Sequence, residues 1–181
     1  MSPQELDLEW HRVALQDNVK HPPFAGVERA QLDATRLPDE AKDFLENGLP
    51  EKTFLYTLDL IPPLNRVYEV FARNEWNDST KVAVEPYFVL GADGGGNAIC
   101  IHEVDGDIWL LDHEDFFQSR EFINSSLKQF LEFLLLLLKG WVGELRFADL
   151  LEPMKAIDSK AMQPEHTWLQ VLLEEIEEEK E

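Results

Sequence analysis

Cysteine is nearly missing from this chain. Cys100 is the single one, so no disulfide can form within it. Cys100 lies in the apolar strand pattern "NAICIHEV", where a buried structural thiol is expected and the electropositive surroundings of a nucleophilic thiol are lacking. Basic residues are scarce as well: 16 Lys and Arg stand against 36 Asp and Glu, a net charge of −20 over 181 residues. The C-terminal run "EEIEEEKE" accounts for only part of this, because without it 30 acids still face 15 bases. The plainer use of such acidity is solubility. A body of that sign also repels nucleic acid and anionic membranes, and draws basic partners inward. Long hydrophobic runs are absent too. "FLEFLLLLL" (Phe130 to Leu138) contains Glu132 and falls well short of the roughly 20 apolar residues of a membrane span, so it reads as a buried core helix. The start "MSPQELDLEW" has neither the basic nor the apolar part of a secretory signal, and a cytoplasmic protein is expected.

Catalytic and cofactor patterns are missing in the same way. "LGADGGGNAICI" has three successive glycines, Gly94, Gly95 and Gly96. A phosphate cradle needs a helix after its glycines and commonly a Lys-Ser/Thr pair. Here a strand-like segment with Ile99 and Ile101 follows, and Asp93 would set a negative charge beside the phosphate. The stretch therefore reads as a turn between two antiparallel strands, with a positive φ expected for at least one of the three glycines. His102 and His113 invite a metal reading. A two-residue turn at Asp105-Gly106 would pair His102 with Trp109 and Ala98 with His113, about 13 Å apart along the ladder at about 3.3 Å per residue. Zinc ligands must converge on one ion, so no metal site is expected. Asp112, Glu114 and Asp115 form an acidic group near a turn, but acids are abundant everywhere and no calcium-loop spacing is present. Ser125 and Ser126 lack a nucleophile elbow and read as caps. No catalytic residue, metal or cofactor is expected.

What is present is an ordered set of elements. "LPDEAKDFLENGLP" (37 to 50) predicts a helix that starts at Pro38 and stops at Asn47-Gly48. "TFLYTLDLI" predicts a strand ended by Pro62-Pro63, "RVYEVFA" another strand, and "RNEWNDSTK" a loop carrying Trp76. "EPYFVLGAD", "NAICIHEV" and "DIWLLDHE" predict three strands, the last two joined at Asp105-Gly106. From Ser126 the period becomes helical, with Gln129 completing a capping box. "ELRFADLLEPMKAI" predicts a shorter helical piece broken near Pro153. "QPEHTWLQVLLEEIEEE" predicts a helix from Pro164 with Trp168, Leu172 and Ile176 on one face. Strands mostly early and helices mostly late predict an α+β fold, a central mostly antiparallel sheet packed by N-terminal and C-terminal helices.

The succession "YFVLGADGGGNAICIHEVDGDIWLLDHE … FINSSLKQFLEFLLLLL", preceded by "LP" and "GLP" at 37 to 50, resembles the SUKH superfamily. That group includes fungal cell-wall regulators and bacterial immunity proteins that neutralise polymorphic toxins. The residues carrying the resemblance are Gly91, Asp93, Gly94, Gly95, Gly96, Asn97, Asn124 and Ser126. The resemblance implies one α+β domain over residues 27–177, between an N-terminal arm (1–26) and an acidic tail (178–181) that have no counterpart. It implies a non-enzymatic protein that binds and blocks a cognate toxin, a nuclease or nucleic-acid deaminase domain that is basic where it grips phosphate. Trp76, Asp93, Asp112, Glu114 and Asp115 are the candidate partner-binding residues. A regulatory or scaffold protein of the same fold is the alternative, and a small hydrolase a weaker one. The apolar helix serves either an intramolecular core or part of a dimer interface, with a monomer the expectation.

Overall fold

Alternation of large apolar residues along 87–111 builds the centre of the molecule. The structure, a computed structural model, describes residues 1–15, 24–50 and 59–180, with the backbone alone at 59–63. Five strands form one sheet: β1 (Asp59–Arg66), β2 (Tyr87–Ala92), β3 (Ala98–His102), β4 (Ile108–Leu111) and β5 (Arg120–Asn124). Each pairs antiparallel with the next in chain order, so the sheet is a meander with β1 and β5 at its edges. Side chains alternate across it. Phe88, Leu90, Ile99, Ile101, Ile108 and Phe122 face one core, whereas Val89, Ala98, Cys100 and Leu111 face another.

The first core is roofed by α1 (Pro3–Ala14), α2 (Arg29–Asp33), α3 (Asp39–Asn47), α6 (Leu127–Trp141), α7 (Leu151–Ile157) and α8 (Thr167–Glu178). Helix α6 is apolar nearly all round because it lies between neighbours, with buried Phe130, Phe133, Leu134, Leu137 and Leu138 on its different sides. Ser126 Oγ accepts the Gln129 N–H at 3.2 Å, while the Gln129 amide donates instead to the Ile157 carbonyl at 2.7 Å. The cap therefore also ties α6 to α7. The second core is smaller, closed by the short helices α4 (Val67–Val70) and α5 (Asp78–Val84) together with Phe117. The α+β fold with a central antiparallel sheet is as the sequence predicts.

Several elements differ from expectation. Within residues 1–26, Pro3–Ala14 is a helix that joins the first core through Leu6, Trp10, Val13 and Ala14. A capping box of Ser2 and Glu5 starts it. Glu9 bridges to Lys139 at 2.6 Å and Arg12 to Glu144 at 2.8 Å, which fastens it along α6. The strand predicted across 53–61 lies partly outside the described residues. Its described part continues through Pro62-Pro63, because β1 is an edge strand whose register shifts between Leu60 and Asn65, leaving the prolines outside the regular pairing. "RVYEVFA" is a helical turn, since the Glu69 carboxylate accepts the Arg66 N–H at 2.7 Å. Asn77 caps α5 inside the predicted loop by accepting the Thr80 N–H at 2.9 Å. Pro153 sits in the first turn of α7, where its missing N–H costs no hydrogen bond, so the helix is not broken there. Helix α8 begins at Thr167, where the Glu121 carboxylate of β5 accepts the first N–H at 3.1 Å.

The β3–β4 hairpin is also longer than two residues. Cys100 pairs with Trp109, and His102 N–H donates to the Asp107 carbonyl at 2.9 Å, leaving a four-residue loop, Glu103–Gly106. The shift is by two residues, so every side chain keeps its face. Glu103 points its N–H to the other neighbouring strand, where it donates to the Pro86 carbonyl at 2.7 Å and extends the β2–β3 ladder one residue past the Tyr87–His102 pair. Its carboxylate accepts from Arg36 Nη2 at 2.9 Å and Arg66 Nη2 at 3.2 Å.

Candidate functional site: the acidic end of the sheet

An antiparallel meander brings alternate connections to the same end. The β2–β3 turn (93–97) and the β4–β5 turn (112–119) therefore lie side by side, and they carry four of the five candidate partner-binding residues. The glycine turn is built by Asp93. Its Oδ1 accepts the N–H groups of Gly95 at 2.9 Å and Asn97 at 2.8 Å, and its Oδ2 accepts the Asn97 amide at 2.9 Å. Gly96 takes φ +93°, the left-handed region a glycine enters without a Cβ clash. β3 follows directly at Ala98 as a strand, so the fold has no helix N-terminus there to bind phosphate.

Asn97 couples the two turns. Its Oδ1 accepts the His113 backbone N–H at 3.2 Å and stands 3.0 Å from His113 Nδ1, which places the ring proton on Nδ1. The second turn is then closed by its own acids. Asp112 Oδ1 accepts the Glu114 N–H at 2.8 Å, while Asp115 accepts those of Gln118 and Ser119, both at 2.9 Å. Hydrogen bonds from Ser119 and from these backbone groups hold the Asp115 carboxyl below its ordinary value, against the opposite pull of burial. Those hydrogen bonds favour the charged form of Asp115.

Two consecutive residues in this turn, Phe116 and Phe117, have φ of +61° and +62°. The left-handed region costs a non-glycine residue about 1–2 kcal/mol. At Phe117 the reason is visible: its ring is fully buried in the second core, stacked on Trp76 at 5.6 Å and tilted against Phe71 at 4.7 Å. Burial of a Phe side chain stabilises by about 1.5–3 kcal/mol, enough to offset that strain. Phe116 points the other way and is 52% exposed. Trp76 is occupied structurally: its Nε1 donates to the Phe71 carbonyl at 3.0 Å, and it backs Phe117 from beneath the turn.

The charge at this end is uncompensated. Among the described residues, Asp93, Asp112, Glu114 and Asp115 lie in no ion pair. On the helical side the acids of α1 to α3 are largely paired, whereas Glu174, Glu177 and Glu178 of α8 lie in no ion pair among the described residues. Arg29 reaches Asp33, Asp43 and Glu46, and Arg12 and then Lys139 hold the Glu9 carboxyl down at about 2. Sequence reasoning found the four acids of the two turns and missed Phe116. The only local signal was the Phe116-Phe117 pair, which does not say which ring is buried.

The histidines do not converge. His113 belongs to the acidic end, and His102 to the opposite end, where its Nδ1 stands 3.0 Å from Asp105. His102, Asp105 and Asp107 bring their ligand-type atoms within 4.8 Å of one another. Two of these groups close the hairpin loop, since His102 Nδ1 also accepts the Asp105 N–H at 3.3 Å. Asn124 and Ser126, at the end of β5, are structural. Asn124 receives Trp168 Nε1 at 2.9 Å and donates to Asp158 at 3.3 Å, and Asp158 also accepts from Ser125 and Ala161. Among the described residues no helix is long and apolar enough to cross a membrane.

A five-stranded antiparallel meander roofed by helices, with two acid-built turns at one end, defines the class: an α+β domain of meander type. The chain belongs to the SUKH-4 immunity protein family, which matches it over residues 24–175. Helix α1 lies outside that match. No curated protein and no solved structure matches the chain.

Proposed function

We propose that this immunity protein is a non-enzymatic inhibitor that neutralises a cognate toxin, a basic nuclease or deaminase domain, by covering its phosphate-binding surface with the acidic end of the sheet. One observation carries the reading: Asp93, Asp112, Glu114 and Asp115 share one end, and none has a cationic partner among the described residues. Complementary potential steers association and selects against acidic partners. The Asp93, Asp112 and Asp115 carboxylates are held by hydrogen bonds within their own turns, so they need little ordering on binding. In this reading the two proteins meet in the cytoplasm and form a complex with one copy of each. The test is calorimetric titration of the purified protein with the toxin domain encoded in the adjacent reading frame. The reading predicts tight binding, loss of the toxin's activity in the complex, and weaker association as salt rises, because screening acts over about 8 Å at physiological ionic strength. Absence of binding to that domain, or affinity indifferent to salt, would overturn it.

A further inference from the structure

We propose that Phe116 is the apolar anchor of the acidic surface, entering an apolar socket rimmed by Lys and Arg on the toxin domain; this rests on the toxin-binding reading above. Among the described residues Phe116 is the exposed aromatic side chain, and the ring contacts of its neighbours Phe117, Trp76 and Phe71 leave it out. The turn sets its left-handed backbone, with the Phe116 N–H donating to the His113 carbonyl at 3.3 Å, but the turn does not require a ring at this position. Phe117 takes the same conformation and buries its ring, whereas at Phe116 a glycine would meet the backbone requirement without a side chain. A strained conformation that displays an aromatic ring, held by a turn whose N–H groups are capped by Asp112 and Asp115, is preorganised for a partner.

The rim states the partner's chemistry. Glu114 and Asp115 immediately precede Phe116 in sequence, Asp112 and Asp93 stand at the bases of the two turns, and none of the four has an ion-pair partner among the described residues. An aromatic anchor seated in a pocket, with surrounding contacts that exclude water, is the arrangement in which one residue dominates binding. A second copy of this chain would present the same acids and be repelled, so the socket belongs to a basic protein.

The experiment measures binding of wild type, Phe116→Ala, Phe116→Gly and Leu173→Ala to the catalytically inactivated toxin domain encoded in the adjacent reading frame. Leu173 is a half-exposed residue of α8 and serves as the control. Phe116→Ala is expected to weaken the complex by about 30-fold or more, mainly through faster dissociation, and Leu173→Ala by less than about twofold. Phe116→Gly is expected to weaken binding as much while raising the melting temperature above wild type, a combination that a packing role would not give. The inference is overturned if wild type binds and Phe116→Ala binds within about twofold of it. It is equally overturned if Phe116→Gly lowers the melting temperature, or if Phe116→Ala dissolves a homodimer of the free protein. Failure of wild type itself to bind would overturn the toxin reading, and this inference with it.

Discussion

Replacing Glu103 by alanine tests the packing logic at the end of the sheet away from the acidic turns. Glu103 is 4% exposed, and its carboxylate accepts from the Arg36 backbone N–H at 3.2 Å, Arg36 Nη2 at 2.9 Å and Arg66 Nη2 at 3.2 Å. Removing one partner of a buried ion pair costs about 3–5 kcal/mol when the other is stranded. Here the stranding is partial. The Arg36 side chain is 69% exposed and rehydrates, and Arg66 keeps the Glu85 carbonyl at 2.6 Å and the Phe88 ring at 3.7 Å. The expected loss is therefore about 2–3 kcal/mol, read from urea unfolding at pH 7. The pH dependence carries a sign. Burial alone would raise the Glu103 carboxyl, but hydrogen bonds from Arg36 and the charge of Arg66 outweigh it and hold the group below its ordinary value. A depressed carboxyl contributes stability that is complete above the unfolded value of about 4.3 and is lost as pH falls through the folded one. The gap between wild type and Glu103→Ala should accordingly narrow on acidification below about pH 4. A loss under about 0.5 kcal/mol at pH 7, or a gap that widens in acid, would refute the reasoning.

Three further outcomes are expected. Asp158→Ala should cost about 2–4 kcal/mol in urea unfolding, because Ser125, Ala161 and Asn124 lose a buried acceptor at the junction of β5, α6 and α7. Gly140→Ala should destabilise by about 1–2 kcal/mol despite better helix propensity, since its Cβ would stand 2.6 Å from Phe147 Cε1; thermal unfolding reads this. Cys100 is buried and its thiol is pushed up by that burial, so a thiol reagent should leave the native protein unmodified and react once urea unfolds it.

What the residues disclosed were the local features. The Asp93 to Asn97 turn was legible because a turn between strands and a phosphate loop demand different continuations, and β-branched Ile99 and Ile101 decide between them. Helix α6 was legible from its Ser126 cap and apolar period. What was lost depended on distant partners. The Asp105-Gly106 pair looks like a two-residue turn, yet the β3–β4 pairing ends at His102 and Asp107, and Glu103 bonds to Pro86, Arg36 and Arg66, partners that the local sequence does not reveal. The short strand β5 has a charged, exposed start, and its buried half, Phe122 to Asn124, is fixed by α8 and by Asp158, about 34 residues away in the case of Asp158. Helix α1 did have a signal, the Ser2–Glu5 capping box and Leu6, Trp10 and Val13 on one face, which the polar composition around it obscured. For Phe116 the Phe116-Phe117 pair was too little, because a turn with two left-handed residues decides which ring is buried, and sequence alone does not reveal that turn.

The measurement that bears most directly on the central claim is amide hydrogen exchange of the protein, free and bound to the toxin domain encoded in the adjacent reading frame. The account predicts new protection concentrated at residues 93–97 and 112–119, with the outer faces of α1, α3 and α8 unchanged. Protection on those helices with the two turns exchanging as in the free protein would contradict it.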